Sequence, residues 1–307
     1  MKSLAGLRVL LGPSSFAEVD LAPQRLLLEA GLTLVSNPYR RRLNREELVK
    51  LLDTEIVGII AGLEPLDRMT LERSQLRVIS RCGSGLSNVD LRAAADLGIV
   101  VRSTPDGPTN AVAEITVGAL LSLARSIHTM NDAMHEGKWP KTIGTQLEGK
   151  TVVIVGFGRI GRRVAQCLAP FQPKIVVADP LVDPQSAGVA VLPLSEALQL
   201  ADVVSFHCSG EEEVLGEKEF ALLKPGVLLL NGARGGVINE SALQNALDRG
   251  LVAGAWLDCF AEEPYQGPLR GYSQVLLTPH VGSYTAECRL RMESEAAKNL
   301  LEAFREL

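Results

Sequence analysis

Three side chains suited to proton and hydride chemistry stand just past three short apolar runs in the second half of the chain. Arg234 follows the run at 227–230 in NGARGG, Glu263 follows 253–258 in DCFAEEP, and His280 follows 275–278 in TPH. Near neutrality an imidazole can take or give a proton. A carboxylate beside it fixes its tautomer and raises its pKa. A guanidinium binds a carboxylate and polarises an adjoining carbonyl. Together the three describe proton transfer and substrate anchoring for hydride exchange at C2 of a 2-hydroxy or 2-oxo acid. Taken singly, an Arg or Glu after a strand more often faces solvent or caps a helix, and a lone His is more often structural. Glu262 competes directly with Glu263.

Hydride chemistry needs a carrier, and residues 150–179 have the pattern that holds one. Val152, Val153, Ile154 and Val155 form a continuous β-branched run, as in a central parallel strand buried on both faces. Gly156, Gly158 and Gly161 follow as GxGxxG. The first permits a tight turn, the second lets a pyrophosphate approach the backbone, and the third lets the new helix pack close to its strand. Phosphates then sit on free amides at the helix start. Ile160, Val164, Ala165 and Leu168 make the apolar stripe of that helix, and 175–178 read as the next strand. Asp179 stands about 20 residues past the glycines, where an acid hydrogen-bonds the adenosine ribose. Pro180 and Leu181 follow, leaving no Arg there for a 2′-phosphate, so the pattern favours NAD over NADP. A nucleotide-binding methyltransferase uses a similar strand–glycine–helix unit, but it has no use for the TPH and ARGG segments downstream.

The elements that must position these groups alternate in the manner of doubly wound sheets. With 307 residues the chain is comfortable for two domains, each with its own core. Strands are expected at 8–11, 32–35, 56–60, 78–80 and 99–102, then at 152–155, 175–178, 203–207, 227–231, 253–258 and 275–278. Asn44 with Glu47 reads as a reciprocal helix cap, and Pro23 as a helix start. A long helix is expected at about 109–127 and a last one at about 285–304. Arg40, Arg41, Arg42 and Arg45 cluster in one loop, read as a solvated run that could also meet an acidic group. A formal net charge of −5 argues against nucleic acid or an anionic membrane as partner. Cys82, Cys167, Cys208, Cys259 and Cys288 are scattered without CxxC spacing, as expected of reduced thiols in a cytoplasmic protein with no metal site. No segment reads as a signal peptide or a membrane span.

Six segments stand in order along the chain: RCGSGLSNVD at 81–90, TPDGPTNAVAE at 104–114, GFGRIG with Asp179, NGARGG at 231–236, DCFAEEP at 258–264 and TPHVGS at 278–283. In these the chain resembles the D-isomer-specific 2-hydroxyacid dehydrogenase family, most closely its phosphoglycerate dehydrogenase branch, over nearly its whole length. The resemblance implies an α/β protein of two doubly wound domains. Residues 1–100 with 286–307 would be a flavodoxin-like substrate lobe, and 101–285 an inserted Rossmann NAD-binding domain. It places the catalytic roles on Arg234, Glu263 and His280, resolving Glu262 against Glu263 by alignment. It places Ser84 and Gly85 on the substrate carboxylate, their amides acting as an anion nest. Arg159, Ile160, His207, Cys208, Ala233 and Asp258 join the glycines and Asp179 at the cofactor. The helix after Pro108 is where related enzymes build a dimer.

The chain departs from the family at two places. The segment that often reads HxPxT is His207, Cys208, Ser209, Gly210, Glu211 here, which alters one wall of the cofactor pocket. Phosphoglycerate enzymes commonly place an Arg-Ser pair after the third strand, where this chain has Ala61, Gly62, Leu63 and Glu64. The expected activity is NAD-dependent hydride transfer at a small D-2-hydroxy or 2-oxo acid, of glyoxylate, hydroxypyruvate or 3-phosphoglycerate type. The competing reading is an NAD(H)-sensing binding protein of the same fold with little turnover.

Overall fold

Strands built from Val, Ile and Leu without a polar face must be covered on both sides, and both sheets of this chain are of that kind. The structure, a computed structural model, describes residues 4–52, 55–210 and 212–307. The chain divides into two compact units, Met1–Pro108 with Ser283–Leu307, and Thr109–Gly282.

In the first unit β1 (Arg8–Leu11), β2 (Thr33–Ser36), β3 (Ile56–Ala61), β4 (Val78–Arg81) and β5 (Val100–Ser103) form a parallel sheet in the order β2-β1-β3-β4-β5. The helices α1 (Ala22–Glu29), α2 (Arg45–Leu51), α3 (Arg68–Glu72) and α4 (Leu91–Asp96) alternate with them. This is the flavodoxin-like order. The cap expected at Asn44 is present: Glu47 N–H donates to the Asn44 side chain at 2.9 Å, and Asn44 N–H donates back to Glu47 at 3.1 Å. Within the arginine cluster the exposed Arg41 pairs with Glu47 and the exposed Arg45 with Asp67, both acids half-buried. Such pairs satisfy local charge and contribute little stability.

The second unit opens with α5 (Thr109–Ala124) and α6 (Ile127–His135) and continues through β6 (Thr151–Val155), α7 (Arg159–Leu168), β7 (Lys174–Ala178), β8 (Ala190–Val191), α8 (Leu194–Leu200), β9 (Val203–Phe206), α9 (Glu217–Phe220), β10 (Val227–Asn231), α10 (Glu240–Asp248), β11 (Val252–Leu257) and β12 (Val275–Leu277). The sheet order β12-β11-β10-β9-β6-β7-β8 is parallel throughout, the Rossmann arrangement with one strand added at an edge. The last helix, α11 (Ala286–Glu306), packs on β3, β4, β5 and α1 of the first unit. A buried pair, Arg289 with Glu293 at 2.6 Å, ties α11 to the turn after β1, where Ser15 accepts from Arg289 and Ala17 N–H donates to Glu293.

The unit bounds fall after Pro108 and after Gly282, a few residues from the expected junctions at 100 and 285, and β5 pairs with β4 along Val78–Arg81 as the last strand of the first sheet. One expectation is corrected. The helix begun at Thr109 stops at Ala124 instead of running to 127, because Ser126 takes a left-handed φ of 50° and the chain turns by 68° into α6. No Gly or Pro marks that break. No single described helix is long and apolar enough to cross a membrane.

Candidate active site

Each glycine of the 156–161 loop has its own physical reason. Gly156 has a φ of +88°, and a Cβ there would collide with the backbone of His207 and Cys208 at the end of β9. At Gly158 a Cβ would meet nothing within 4 Å, so the loop is open on the side where a pyrophosphate approaches. Gly161 lies against the Gly156 carbonyl, which leaves no room for a methyl group and sets α7 close to β6. Gly158 is the N-cap of α7, so the amides of Arg159 and Ile160 open its first turn, where the helix itself supplies no acceptor and an anion is favoured. Asp179, at the end of β7, accepts from Phe157 N–H at 2.7 Å and Leu181 N–H at 2.9 Å. Each carboxylate oxygen keeps a lone pair for a ribose hydroxyl. The loop has the shape, the donors and the acid that a dinucleotide requires.

Arg234, Glu263 and His280 follow β10, β11 and β12, three consecutive strands of the sheet. His280 Nδ1 lies 3.0 and 3.1 Å from the two oxygens of Glu263. Glu262 is exposed, so of the two acids it is Glu263 that geometry pairs with the imidazole. Glu263 is held in turn by Phe260 N–H at 3.2 Å. Burial opposes charge on the imidazole, but the Cys259 and Glu263 side chains beside it outweigh burial and push its pKa up to about 10. His280 takes φ +54°, a left-handed backbone uncommon outside glycine. The Arg234 guanidinium donates from Nη1 to the Ala233 carbonyl at 2.6 Å, using one of its five N–H groups.

The groups that hold this arrangement are mostly polar residues at strand ends, and the sequence reading passed over several. Asn231, the buried last residue of β10, donates to the Arg234 carbonyl at 2.8 Å and accepts from Ala233 N–H at 3.0 Å, clamping the arginine loop from both sides. Gly235 packs on the backbone of Phe260 and Ala261, which joins that loop to the one carrying Glu263. Asp258 is buried and accepts from Thr278 Oγ1 at 2.6 Å, Val281 N–H at 2.9 Å and Gly282 N–H at 2.8 Å. It therefore brackets His280 on both sides, a positioning task the sequence did not show, and one acceptor site remains for a cofactor amide. Trp256 Nε1–H donates to Thr278 Oγ1 at 2.9 Å and completes the chain of bonds.

The remaining expected residues are placed as follows. His207 Nε2 lies 2.8 Å from Ser205 Oγ, its Nδ1 is buried without a partner among the described residues, and burial pushes its pKa down to about 4, so the ring is neutral. The Cys208 thiol is pushed up by burial and by Asp179, with Arg234 opposing, and stays protonated. Glu211, the last residue of the altered cofactor segment, lies outside the described residues. In the first unit Gly83 and Thr104 hold each other, with Gly83 N–H donating to Thr104 Oγ1 at 2.7 Å. The next two amides, of Ser84 and Gly85, donate to no described residue and are open to an anion. Glu64 is 1% exposed, accepts from Gly62 N–H at 2.6 Å, and leaves Oε1 without a described partner. Burial raises its pKa.

Residues 117–282 match the family model of the D-isomer specific 2-hydroxyacid dehydrogenase NAD binding domain. D-3-phosphoglycerate dehydrogenase of Rattus norvegicus is 37% identical over 310 residues, which cover 98% of this chain and 57% of that protein. The chain thus spans little more than half the length of the curated relatives it matches. Among solved structures, a Thermus thermophilus protein aligns with a TM-score of 0.88 and 33% identity over 97% of both chains. A glyoxylate reductase from Paecilomyes thermophila aligns with a TM-score of 0.86 and 29% identity, over 98% of this chain and 96% of the other.

Proposed function

The chain belongs to the D-isomer-specific 2-hydroxyacid dehydrogenase family, and on that premise we propose that it is an NAD-dependent dehydrogenase or reductase of small D-2-hydroxy and 2-oxo acids. The observation that carries the reading is the His280–Glu263 pair, with Arg234 following the next strand of the same sheet. NAD, when bound, supplies or receives the hydride at C2. In reduction His280 gives a proton from Nε2 to the substrate oxygen, while Glu263 holds the ring and stabilises its charge. In oxidation the neutral ring takes that proton back. Arg234 binds the substrate carboxylate and draws electron density from the adjoining carbonyl. In the first unit the amides of Ser84 and Gly85 are open to a carboxylate.

We assign unphosphorylated substrates of the glyoxylate and hydroxypyruvate type, because residues 61–64 supply a buried acid and no cation of their own, and the charges of Arg42 and Arg81 nearby act on that acid. Homodimerisation is supported by four exposed apolar side chains of the second unit, Ile127, Met134, Trp139 and Ile143, the last 98% exposed. A cytoplasmic location is supported by five cysteines that are all free thiols. The deciding experiment follows NADH absorbance with glyoxylate, hydroxypyruvate, pyruvate, 2-oxoglutarate and 3-phosphohydroxypyruvate, repeated with NADPH. Turnover of an unphosphorylated acid with NADH is expected. NADH binding with no turnover on any member would favour the sensor reading.

Two outcomes test the parts. Asp179→Ala should weaken NADH binding by roughly 10- to 100-fold in a fluorescence titration, the effect of losing hydrogen bonds to a charged group, with kcat at saturating NADH little changed. Glu263→Gln should move the pH profile. The imidazolium is favoured up to about pH 10 in the native site, so reduction should hold through neutrality and fall only in strong alkali. With the amide in place the pKa returns toward its ordinary ~6.5, and reduction at pH 8 should drop by about 30-fold. An unchanged alkaline limb would remove Glu263 from the mechanism.

A further inference from the structure

One sulfur, one oxygen and one nitrogen donor, from Cys259, Glu263 and His280, all lie within 4.8 Å of one another. We propose that these three side chains form a binding site for a thiophilic divalent cation of the zinc class, and that its occupation arrests proton transfer at His280. The second half rests on the function proposed above; the first half stands on the donor geometry alone.

A tetrahedral ion with bonds of about 2.0–2.3 Å to N, O and S holds its ligands about 3.3–3.6 Å apart. His280 Nδ1 already stands 3.0 and 3.1 Å from the Glu263 oxygens, so that edge of the tetrahedron needs only a slight opening. The Cys259 thiol donates a weak bond of 3.6 Å to the Ala233 carbonyl, and its sulfur already lies within 4.8 Å of the other two donors, so loss of the thiol proton to a metal costs only that weak bond. Cys259 is 4% exposed, whereas the His280 side chain is 31% exposed, which leaves a solvent side through which an ion enters and a fourth corner for water. The donor set is selective. Calcium and magnesium take six or more oxygen ligands, while a thiolate with an imidazole suits zinc. The spacing 259, 263, 280 matches no linear metal motif, because the donors come from the ends of two adjacent strands. An ion on Nδ1 replaces the hydrogen bond to Glu263 and leaves Nε2 as the N–H of a neutral ring, neither a base nor a strong acid.

The test is a titration of the full chain with Co²⁺, followed by its thiolate-to-metal charge-transfer absorption, and with Zn²⁺ by equilibrium dialysis. The expected result is one equivalent bound, a thiolate band that Cys259→Ser abolishes and Cys167→Ser retains, and a Zn²⁺ affinity roughly 10-fold or more weaker in Cys259→Ser. Thermal melts establish that the variants are folded; should Cys259→Ser not fold, Cys259→Ala and His280→Asn take its place. No thiolate band in the wild type, or the same band in a folded Cys259 variant, overturns the site. Zn²⁺ should also slow NADH oxidation, with recovery on adding EDTA; a bound ion that leaves turnover unchanged overturns the second half. A protein that turns over no substrate refutes the proposed function while the cobalt band still decides the site.

Discussion

His280→Asn should lower NADH-dependent turnover by roughly 10²- to 10⁴-fold, the range for loss of a positioned general acid, and leave the NADH dissociation constant unchanged. Asparagine is the cleaner choice than alanine here. The backbone at 280 is left-handed, at φ +54°, a region that Asn tolerates and Ala does not. Alanine would add backbone strain to the loss of the imidazole, and the two effects would be hard to separate. The surrounding bonds from Asp258 to Val281 and Gly282 N–H do not involve the ring, so the loop should keep its course. The His280 ring engages Glu263 and Cys259, and Asp179 engages Phe157 and Leu181, which is why cofactor affinity should hold. The raised pKa has a further consequence for the fold. A group raised above its unfolded value of ~6.5 adds stability that is complete below that pH and is lost as pH rises toward about 10. His280→Asn should therefore flatten the stability–pH curve in that window, read by denaturant melts at pH 6 and pH 10. Wild-type turnover in a folded His280→Asn protein would end the mechanism.

How much of this could be read in the residues depends on how local the cause is. The GxGxxG loop is local: the turn at Gly156, the open side at Gly158 and the close contact at Gly161 all arise within one strand–turn–helix. The strand assignments in both sheets follow from continuous β-branched runs, and their ends shift by a residue or so. What the residues alone could not show depends on which strands are neighbours. Asp258 serves the loop at 281–282 because β11 lies beside β12. Cys259 meets His280 for the same reason, and Gly235 meets Phe260 because β10 lies beside β11. Asn231 has a visible signal in hindsight, a polar residue closing an apolar strand just before ARGG. The break at Ser126 has none, since no Gly or Pro stands there and the apolar pattern runs on. The short strand β8, only Ala190–Val191, lies below the length at which alternation can be recognised.

Arg234→Ala should reduce kcat/KM for the 2-oxo acid by roughly 30- to several thousand-fold, the effect of truncating one partner of a hydrogen-bonded charge pair at about 2–5 kcal/mol. How the loss divides is informative. An arginine that only grips the carboxylate stabilises ground and transition states alike, and its removal raises KM with kcat unchanged. One that also polarises the carbonyl meets charge that develops during hydride transfer, and its removal lowers kcat as well. The geometry favours the second outcome. Asn231 clamps the backbone on both sides of Ala233, and the Ala233 carbonyl takes one N–H, so the guanidinium plane is set before substrate arrives. A preset fork with four N–H groups remaining can reach a carboxylate and the adjoining oxygen together, whereas a flexible ammonium reaches one point. Arg234→Lys should therefore recover KM better than kcat. Steady-state kinetics at saturating NADH separate the cases: a kcat loss in Ala that Lys does not repair supports carbonyl polarisation, and an Arg234→Ala enzyme with unaltered kcat/KM removes Arg234 from the site.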